Sequence, residues 1–424
     1  MNKKPVTLIV IGAGGRGFTY ARYAAQYPEL AQVVGVAEPR PYYREKMAAD
    51  HHIPPENVAA DWQELARRDR FADAVIIATP DALHTAPAIA FAQKGYDLLL
   101  EKPMAPTPQE CLRIVQAVEA GGGLFAVAHV MRYTRYTQKL KELVDAGVIG
   151  EIVSVQHLEP VGFWHQAHSF VRGNWRNTAE SSFMLLAKSC HDIDWLRYII
   201  GQRCVKVSSF GSLKHFKQSE KPPKAGAAQR CIATQDSPGC AYEPECPYSA
   251  PRLYLNLVES GYTGWPVNVL TPDLTPAGVR RALEEGPYGR CVYECDNDVV
   301  DHQVVNLLYE NGVTASFTMT AFTEQADRKT TLFGTRGELR GDGRAIAVYD
   351  FLTQQTQVFD TVSSESAASG HGGGDFGLME RFVAAVASRD ASLILSGARE
   401  TLETHLTTFI AEQSRLQGST LDVA

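Results

Sequence analysis

The amino-terminal stretch of the chain constrains its fold most tightly, because a short apolar run leads directly into a glycine-rich loop. The run VTLIVI at residues 6–11 has the length of a buried strand, and GAGGRG at residues 12–17 follows it. Glycines spaced in this way allow a tight turn and let a pyrophosphate approach the N-terminus of the next helix. The context therefore predicts a dinucleotide-binding site at Gly12, Gly14, Gly15, Arg16 and Gly17.

The rest of the first 128 residues repeats this alternation of strand and helix. The further strand-like runs are VVGVAEP, DAVIIAT, DLLLEKP and GLFAVAHV. Each is followed by a segment of helical composition or by the domain boundary. Such alternation predicts an α/β domain over residues 1–128, in which a doubly wound parallel sheet is covered by helices on both faces.

A second domain is predicted over residues 129–424. A long amphipathic segment, RYTQKLKELVDAG, lies near its start, and several later segments show the alternation or β-branched content of an antiparallel sheet. Two closing segments, GDFGLMERFVAAVAS and ARETLETHLTTFIAEQSRL, have helical patterns. We expect an α+β domain with an open, mainly antiparallel sheet and an irregular insertion at residues 217–290 that is rich in proline, glycine and cysteine.

Composition argues against several classes of partner. The 424 residues are 45% hydrophobic and carry a net charge of −7, and no basic run is dense enough to follow a phosphate backbone. No uninterrupted stretch of about 18 apolar residues is present to span a bilayer, and the opening lysines precede a strand rather than a signal peptide. We therefore expect a cytoplasmic protein without a nucleic-acid or membrane partner.

The second strand ends in AEPR, which places an acidic side chain, Glu38, at its carboxyl end. A carboxylate at this position can bind both ribose hydroxyls and repel a 2′-phosphate, so NAD is favoured over NADP. Arg40 weakens this inference, because its guanidinium could accommodate that phosphate if Glu38 turned away. The alternative for Glu38 is a solvated strand end.

Two further strand ends carry candidate cofactor residues. They are Thr79, Pro80 and His84 in ATPDALH, and Glu101 and Lys102 in EKP. Open α/β sheets bind their ligands at the carboxyl ends of the strands. A Glu-Lys pair is often only a surface ion pair, but a lysine beside a cofactor can orient a substrate hydroxyl, which makes Lys102 a candidate catalytic residue as well.

These motifs together resemble those of the glucose–fructose oxidoreductase, inositol dehydrogenase and MocA family. The resemblance rests on GAGGRG, the acidic end of the second strand, ATPDALH, EKPMA, HVMRY and GHGGGDFGLMERF, and it extends from residue 8 to about residue 385. It implies a Rossmann domain followed by an α/β domain whose open sheet mediates oligomers, so a homodimer or homotetramer is expected. It also implies bound NAD or NADP and hydride exchange with a carbon of a sugar or cyclitol.

The segment LLAKSCHDID, at residues 185–194, bears on the catalytic acid/base. The resemblance implies an Asp-x-x-x-His motif, in which His191 takes the histidine's role on the reacting hydroxyl, while Ala187 stands where the aspartate is expected. Lys188, three residues before His191, is expected on the same helical face as a polar replacement. Asp192 or Asp194 could orient the imidazole.

The same segment places Cys190 directly before His191, an order that raises the question of a thiol hydrolase. Triad members meet through tertiary folding, and neighbouring side chains on a helix diverge by about 100°. We therefore expect Cys190 to be a small buried apolar group rather than a nucleophile.

Further polar and aromatic residues are candidates for binding ligands. Aromatic faces and hydrogen-bonding groups suit a sugar, which offers apolar ring faces and many hydroxyls. The same side chains could equally pack in a core or a loop. The substrate candidates are Arg132, Tyr133, His165, His168, Trp175, Arg176, Asp192, His371 and Asp375, and His129 is assigned to the cofactor.

A separate signal comes from the cysteines of the insertion and of the segment after it. Cys231, Cys240 and Cys246 lie in a region with little regular pattern and no obvious core of its own, and Cys291 and Cys295 follow. Four thiolates could hold a structural zinc ion there, and we assign Cys291 as the fourth ligand. The spacing lacks a C-x-x-C pair, so free thiols and disulfides remain alternatives.

The leading functional hypothesis is an NAD-dependent oxidoreductase that acts on a sugar, sugar derivative or cyclitol. Lys102 would hydrogen-bond the reacting hydroxyl, and His191 would take its proton. The alternative is an NAD-dependent glycosidase that oxidises sugar C3 transiently, eliminates the aglycone, adds water and re-reduces the carbon. The altered Ala187–Lys188 site makes this alternative a serious one. A non-catalytic NAD sensor is disfavoured, because it would need neither EKP nor His191.

Overall fold

The computed structural model describes residues 4–235, 238–324, 326–362 and 371–423, and within them the chain forms two β-sheets. The first sheet is parallel with flanking helices, and the second is mostly antiparallel, so the predicted fold class is confirmed. None of the helices in these ranges is both long enough and apolar enough to cross a membrane.

The amino-terminal sheet consists of six parallel strands: β1 (Val6–Ile11), β2 (Ala31–Ala37), β3 (Val58–Ala59), β4 (Ala74–Ile77), β5 (Asp97–Leu100) and β6 (Phe125–Val127). Their order in the sheet is β3-β2-β1-β4-β5-β6. The order changes direction between β1 and β4, and this switch leaves a crevice at the carboxyl ends of the strands. All the predicted cofactor motifs of the first domain lie at that edge.

Five helices cover this sheet: α1 (Gly15–Gln26), α2 (Pro41–Asp50), α3 (Trp62–Arg67), α4 (Thr85–Gln93) and α5 (Pro108–Gly121). Both faces of β1 are buried, since Leu8 and Val10 pack into one core while Ile9 and Ile11 pack into another. A parallel strand covered on both sides needs apolar side chains at successive positions, which explains the continuous apolar run in the sequence.

The glycine-rich loop between β1 and α1 requires glycine at two positions. Gly12 has a φ of +91°, and a β-carbon there would lie 2.6 Å from the carbonyl oxygen of Ala78. A β-carbon on Gly17 would lie only 2.0 Å from the carbonyl oxygen of Gly12. A side chain at Gly12 would therefore push the loop away from the end of β4, and one at Gly17 would push α1 away from the start of the loop.

The second sheet contains nine strands: β7 (Ile152–Pro160), β8 (Cys204–Ser212), β9 (His302–Tyr309), β10 (Thr314–Thr320), β11 (Lys329–Gly334), β12 (Gly337–Gly341), β13 (Ala345–Asp350), β14 (Thr356–Asp360) and β15 (Leu421–Asp422). Their order is β14-β13-β12-β11-β7-β10-β9-β8-β15. Only the pair β7 and β10 is parallel among the described strand pairs of this sheet, so it is mainly antiparallel as predicted.

Among the described residues, the α-helices of the second half are α6 (Arg135–Asp145), α7 (Phe163–His165), α8 (Met184–Ala187), α9 (Cys190–Ile200), α10 (Asn256–Glu259), α11 (Pro276–Glu285), α12 (Gly374–Ser388) and α13 (Ala398–Gln417). A large core joins α6, α8 and α9 to one face of the sheet. The other face carries alternate side chains that remain partly exposed, as in β10, where Ser316 and Thr318 alternate with buried Ala315 and Phe317.

The carboxyl-terminal helices return to the first sheet. Leu378, Phe382 and Val383 of α12 belong to the same core as Leu8 and Val10 of β1. From α13, Leu402 and Phe409 pack against the core on the opposite face of that sheet. The two halves of the chain are thus joined by shared apolar packing, while the boundary at residue 128 remains a prediction.

The insertion at residues 217–290 is built from short helices and turns, in agreement with the prediction of little regular structure. It does, however, contain a core of its own, which includes Tyr254, Val267, Val279 and Leu283. The insertion therefore has a core that was not obvious from the sequence. Val279 and Leu283 have the four-residue spacing of a helix, α11, but the other members come from short segments separated by turns, so the sequence pattern does not indicate a common core.

Candidate active site

The N-terminus of α1 offers a place for a phosphate group. The helix has no side-chain cap and no acidic residue in its first turn. A β-carbon on Gly15 would meet nothing within 4 Å, and one on Gly14 would meet only Arg40 Nη2, at 3.5 Å. Unpaired amide groups that face open space at a helix N-terminus fit a pyrophosphate, so the loop suits the predicted dinucleotide.

Arg16 of the same loop is held by two carboxylates from distant parts of the chain. Its Nε donates to Glu101 Oε1 at 2.6 Å, and its Nη2 donates to Asp375 Oδ1 at 2.6 Å. Burial would raise the pKa of Glu101, but the charges of Arg16 and Lys102 outweigh it and hold that pKa below its ordinary value. The glutamate of EKP thus fixes the glycine-rich loop, and Asp375, predicted near the substrate, does so as well.

Glu38 lies at the end of β2, with 3% of its surface exposed. Its Oε2 accepts from the backbone amide of Ala13 at 2.9 Å, and its Oε1 accepts from Arg40 Nε at 2.6 Å. Burial would raise the pKa of Glu38, but the hydrogen bonds from Arg40 outweigh it and lower that pKa. The carboxylate is therefore ionised and aimed at the loop, and Arg40 lies beside it.

The strand end after β4 is tied to the EKP segment by His84. This buried ring lies 2.8 Å (Nδ1) from the carbonyl oxygen of Pro103 and 2.9 Å (Nε2) from that of Thr79. Pro80 precedes the short turn that leads to His84. The hydroxyl of Thr79 is buried and has no hydrogen-bond partner within the described residues, which makes it available to a bound cofactor.

Lys102 spans the crevice from the first domain to the second. Its Nζ donates to the carbonyl oxygen of Ala187, the last residue of α8, at 2.6 Å. His191 is the second residue of α9, and its buried ring meets that of His129 edge to face, with centroids 5.7 Å apart. The structure thus brings the predicted residues Lys102, His129 and His191 to one place.

His129 stands between His191 and a third histidine that the sequence did not suggest, His405 of α13. The His129 and His405 centroids are 5.6 Å apart. Burial lowers the pKa of His405 to about 3, and its Nε2 accepts from the amide of Met104 at 2.9 Å. Burial, together with Arg132 and Lys102, also holds the pKa of His129 well below its ordinary value, so both rings are neutral.

Lys188 is placed differently from the prediction. Helix α8 ends at Ala187 and α9 begins at Cys190, so Lys188 lies in a turn and does not share a helical face with His191. Its Nζ lies 3.1 Å from Glu159 Oε1, a contact that joins positions 29 residues apart in sequence. Burial lowers the pKa of Lys188, although Glu159 opposes this effect.

The two aspartates after His191 are both engaged in ion pairs. Asp192 accepts from Arg328 Nε at 2.7 Å and lies 3.1 Å from His157 Nε2. Asp194 accepts from Nε and Nη2 of Arg132, each at 2.7 Å. The Asp192 and Asp194 carboxylates are therefore fixed by arginines, and Arg132, predicted to bind substrate, lies fully buried in the framework of the site.

The other substrate candidates are dispersed around this centre. Tyr133 is buried, with its hydroxyl 2.9 Å from Ser396 Oγ, and Arg176 forms an ion pair with Asp296. Trp175 is partly exposed, and its Nε1 lies 3.5 Å from Asp81 Oδ1 near the end of β4.

The two histidines of FWHQAHSF belong to an aromatic cluster of the insertion. His165 meets the ring of Trp265 at 5.0 Å, and buried His168 lies 2.8 Å from the hydroxyl of Tyr254. His371 begins the short turn before α12, and its side chain lies outside the described residues.

Cys190 is 2% exposed, and burial raises the pKa of its thiol to about 12. A thiol with so high a pKa is protonated at neutral pH, whereas a cysteine nucleophile must be a thiolate. The arrangement supports a packing role for Cys190.

The cysteines of the insertion do approach one another. Cys231, Cys240, Cys246 and Cys291 line a common cavity with Arg172, and Arg172 Nη2 lies 3.5 Å from Cys231 Sγ. All eight cysteines are free thiols. Within the described ranges, however, no three histidine, cysteine or acidic side chains are arranged to hold a metal ion, so the structure does not establish the expected zinc site.

Comparison with known families agrees with this geometry. The profile of an oxidoreductase family with an NAD-binding Rossmann fold matches residues 6–129, and the profile of that family's C-terminal α/β domain matches residues 141–423. The chain therefore belongs to the Gfo/Idh/MocA oxidoreductase family, which confirms the resemblance drawn from its motifs. It is an NAD(P)-dependent oxidoreductase.

Several relatives are similar over part or most of their length. The protein YteT of Bacillus subtilis is 26% identical over 73% of this chain and 71% of its own length. The 2,7-anhydro-N-acetylneuraminate hydratase of Mediterraneibacter gnavus is 28% identical over 49% of this chain and 53% of its own length. Inositol 2-dehydrogenase 2 of Saccharopolyspora erythraea is 30% identical over 33% of this chain and 39% of its own length.

Solved structures share the fold across the whole chain. An NAD-binding oxidoreductase from Klebsiella pneumoniae aligns with a TM-score of 0.71 over 99% of both chains, at 17% sequence identity.

Iodoacetamide tests the assignment of Cys190. We expect this thiol to resist alkylation in the native protein at neutral pH, because it is buried and protonated, and Cys190→Ala to leave turnover nearly unchanged. Mass spectrometry of the alkylated peptides gives the measurement, with urea-unfolded protein as the control for full labelling. Rapid alkylation of native Cys190, accompanied by loss of activity, would favour a thiol mechanism instead.

Proposed function

We propose that this protein transfers a hydride between nicotinamide and a hydroxyl-bearing carbon of a sugar, sugar derivative or cyclitol. The observation that carries the proposal is the bond from Lys102 Nζ to Ala187, which holds an ammonium at the carboxyl end of a parallel strand beside the turn that leads to His191. A cyclitol substrate is also consistent with the similarity to an inositol 2-dehydrogenase.

In this mechanism the glycine-rich loop and Glu38 bind the dinucleotide, and bound nicotinamide supplies the hydride acceptor or donor. Lys102 donates a hydrogen bond to the oxygen of the reacting carbon and orients it. His191 takes the hydroxyl proton during oxidation and returns it during reduction. Lys188 supplies a second polar group near the position where the family motif has an aspartate, and partly exposed Trp175 offers a face for the substrate ring.

A second reaction is favoured by one specific feature of the site. Ala187 stands where the family motif has an aspartate, and Lys188 follows it. The similarity to a 2,7-anhydro-N-acetylneuraminate hydratase also supports this second reaction. In this alternative, oxidation at C3 makes the C2 hydrogen acidic, the aglycone leaves by elimination, water adds, and the carbon is reduced again. No net oxidation results, because the hydride that leaves C3 is returned to it.

We also propose that the protein forms a dimer or tetramer through the open face of the second sheet. Phe210 of β8 is 61% exposed and alternates with buried Val207 and Ser209, so it lies on the open face and offers apolar surface to a second copy of the chain.

A structural zinc ion at Cys231, Cys240, Cys246 and Cys291 is a separate proposal. Arg172 is 1% exposed, and among the described residues no carboxylate lies within ion-pair distance of it. Thiolates that bind a metal would supply the negative charge that this buried guanidinium needs. The four thiols would have to close around the ion on binding.

Glu38→Ala should weaken NAD binding about tenfold, because a charged acceptor for the ribose hydroxyls is lost, and should affect NADP binding less. Isothermal titration of the purified protein with each dinucleotide gives both affinities. Glu38→Gln is the matched control, since it keeps an acceptor for the amide of Ala13. Equal losses for NAD and NADP would argue against the role assigned to Glu38.

A panel of free sugars, cyclitols and aryl glycosides tests the reaction itself. We expect NADH absorbance to rise in proportion to the substrate consumed, without release of aglycone. The glycosidase alternative predicts aglycone release without net NADH. Both rest on the dinucleotide, so aglycone release from protein freed of NAD(P) would contradict both.

Elemental analysis of protein purified without added metal tests the zinc proposal. We expect about one equivalent of zinc, lost in Cys240→Ser and retained in the control Cys111→Ala, because Cys111 lies in the core of the first domain. A content below about 0.2 equivalents, with the four thiols of the native protein open to titration, would reject the metal.

A further inference from the structure

A chain of buried charges lies behind the turn between α8 and α9. Lys188 Nζ lies 3.1 Å from Glu159 Oε1, and Glu159 Oε2 lies 2.7 Å from Arg328 Nε. The same arginine nitrogen lies 2.7 Å from Asp192 Oδ1, which is 3.1 Å from His157 Nε2. The chain thus links β7, α9, the residue before β11 and the turn that carries Lys188.

The acidic members of this chain are the deeply buried ones. The side chains of Glu159 and Asp192 are 4% and 0% exposed, whereas those of Lys188 and Arg328 are 19% and 18% exposed. A carboxylate buried this deeply must be paired with a positive charge. Glu159 therefore stays paired with its two cationic neighbours, Lys188 and Arg328. The partly exposed groups of this chain of charges are the ammonium of Lys188 and the guanidinium of Arg328.

Lys188 is also linked to the catalytic lysine through the backbone. It follows Ala187, whose carbonyl oxygen accepts the bond from Lys102 Nζ. Glu159, which holds the side chain of Lys188, therefore acts on the residue next to Ala187, whose carbonyl oxygen fixes Lys102.

We propose that Glu159 and Arg328 are positioning residues that hold Lys188 at the site and set, in opposite directions, how readily its amine carries a proton. The inference rests on the proposed function only in giving Lys188 a part in the reaction. Neither Glu159 nor Arg328 touches the glycine-rich loop or Lys102 in any contact found among the described residues.

The charge of each neighbouring group decides whether it favours the protonated or the neutral form of the Lys188 amine. Glu159 lies against the ammonium and favours the protonated form, while Arg328 behind it favours the neutral form. Burial lowers the pKa of Lys188 first, Glu159 and Asp192 oppose that shift, and Arg328 adds to it. These groups face Lys188 from β7, from α9 and from the residue before β11.

Competitive acetylation with acetic anhydride measures this coupling without any substrate. The full-length protein is labelled at neutral pH, and mass spectrometry compares Lys188 with exposed Lys214 in the same sample. Glu159→Gln should raise the relative labelling of Lys188 about tenfold or more, because the ammonium loses its anionic partner. Arg328→Gln should lower it, and Arg328→Lys, which keeps the positive charge, should leave it near the wild-type rate.

If Glu159 and Arg328 served only to pack around Lys188, the labelling results would be different. Loosening of the cluster would expose the amine in either variant, so labelling would rise in both Glu159→Gln and Arg328→Gln. A rise in both, or no change in either, would overturn the proposal. Should Arg328→Gln fail to fold, the pH dependence of Lys188 labelling in Glu159→Gln decides. A charge effect raises the rate only below the pH at which the amine is fully neutral, whereas loosening raises the rate at every pH and would overturn the proposal.

Turnover of Lys188→Met separates this inference from the proposed function. With a substrate from the panel, two results together support both the proposed function and this inference. Lys188→Met loses kcat, and Glu159→Gln has a shifted pH profile of kcat with little change in KM. Normal turnover of Lys188→Met would remove Lys188 from the reaction and overturn its role in the proposed function. The labelling results would still report the charge coupling, so the two failures are distinguishable.

Discussion

The hydrogen bond from Lys102 Nζ to the carbonyl oxygen of Ala187 joins the two halves of the site. A lysine side chain is flexible, and without a partner it would sample many rotamers at the end of β5. The bond fixes its ammonium next to the turn that begins α9, where His191 lies. The proposed chemistry therefore depends on how firmly the second half of the chain is held against the first.

Buried ion pairs and shared apolar packing provide that hold. Arg132 follows β6, and its bidentate pair with Asp194 of α9 has both side chains at 1% exposure or less. Removing one partner of such a pair costs about 3–5 kcal/mol, because the other charge stays buried without compensation. Since Asp194 lies three residues after His191, this pair fixes the helix that carries the proposed acid/base. Helix α12 adds apolar contacts with β1 on the same side of the molecule.

Much of this arrangement could be predicted from the sequence, because its signals are local. The glycine-rich loop, Glu38 and EKP each follow an apolar strand directly, and the topology of a parallel sheet brings such strand ends together. Lys188 was misplaced because a break of two residues between helices leaves little trace in the apolar pattern. Glu159, Arg328 and His405 reach the site through tertiary folding from separate elements, and no spacing along the chain reveals them.

The most direct test of the central claim compares turnover with cofactor affinity in Lys102→Met and His191→Asn. Acid/base participation is worth about 10²–10⁴-fold, so each variant should lose roughly that factor in kcat on a panel substrate. Binding of NAD, measured by titration, should change little in either variant. Wild-type turnover in Lys102→Met, or a loss of activity that instead follows removal of Cys190, would contradict the account.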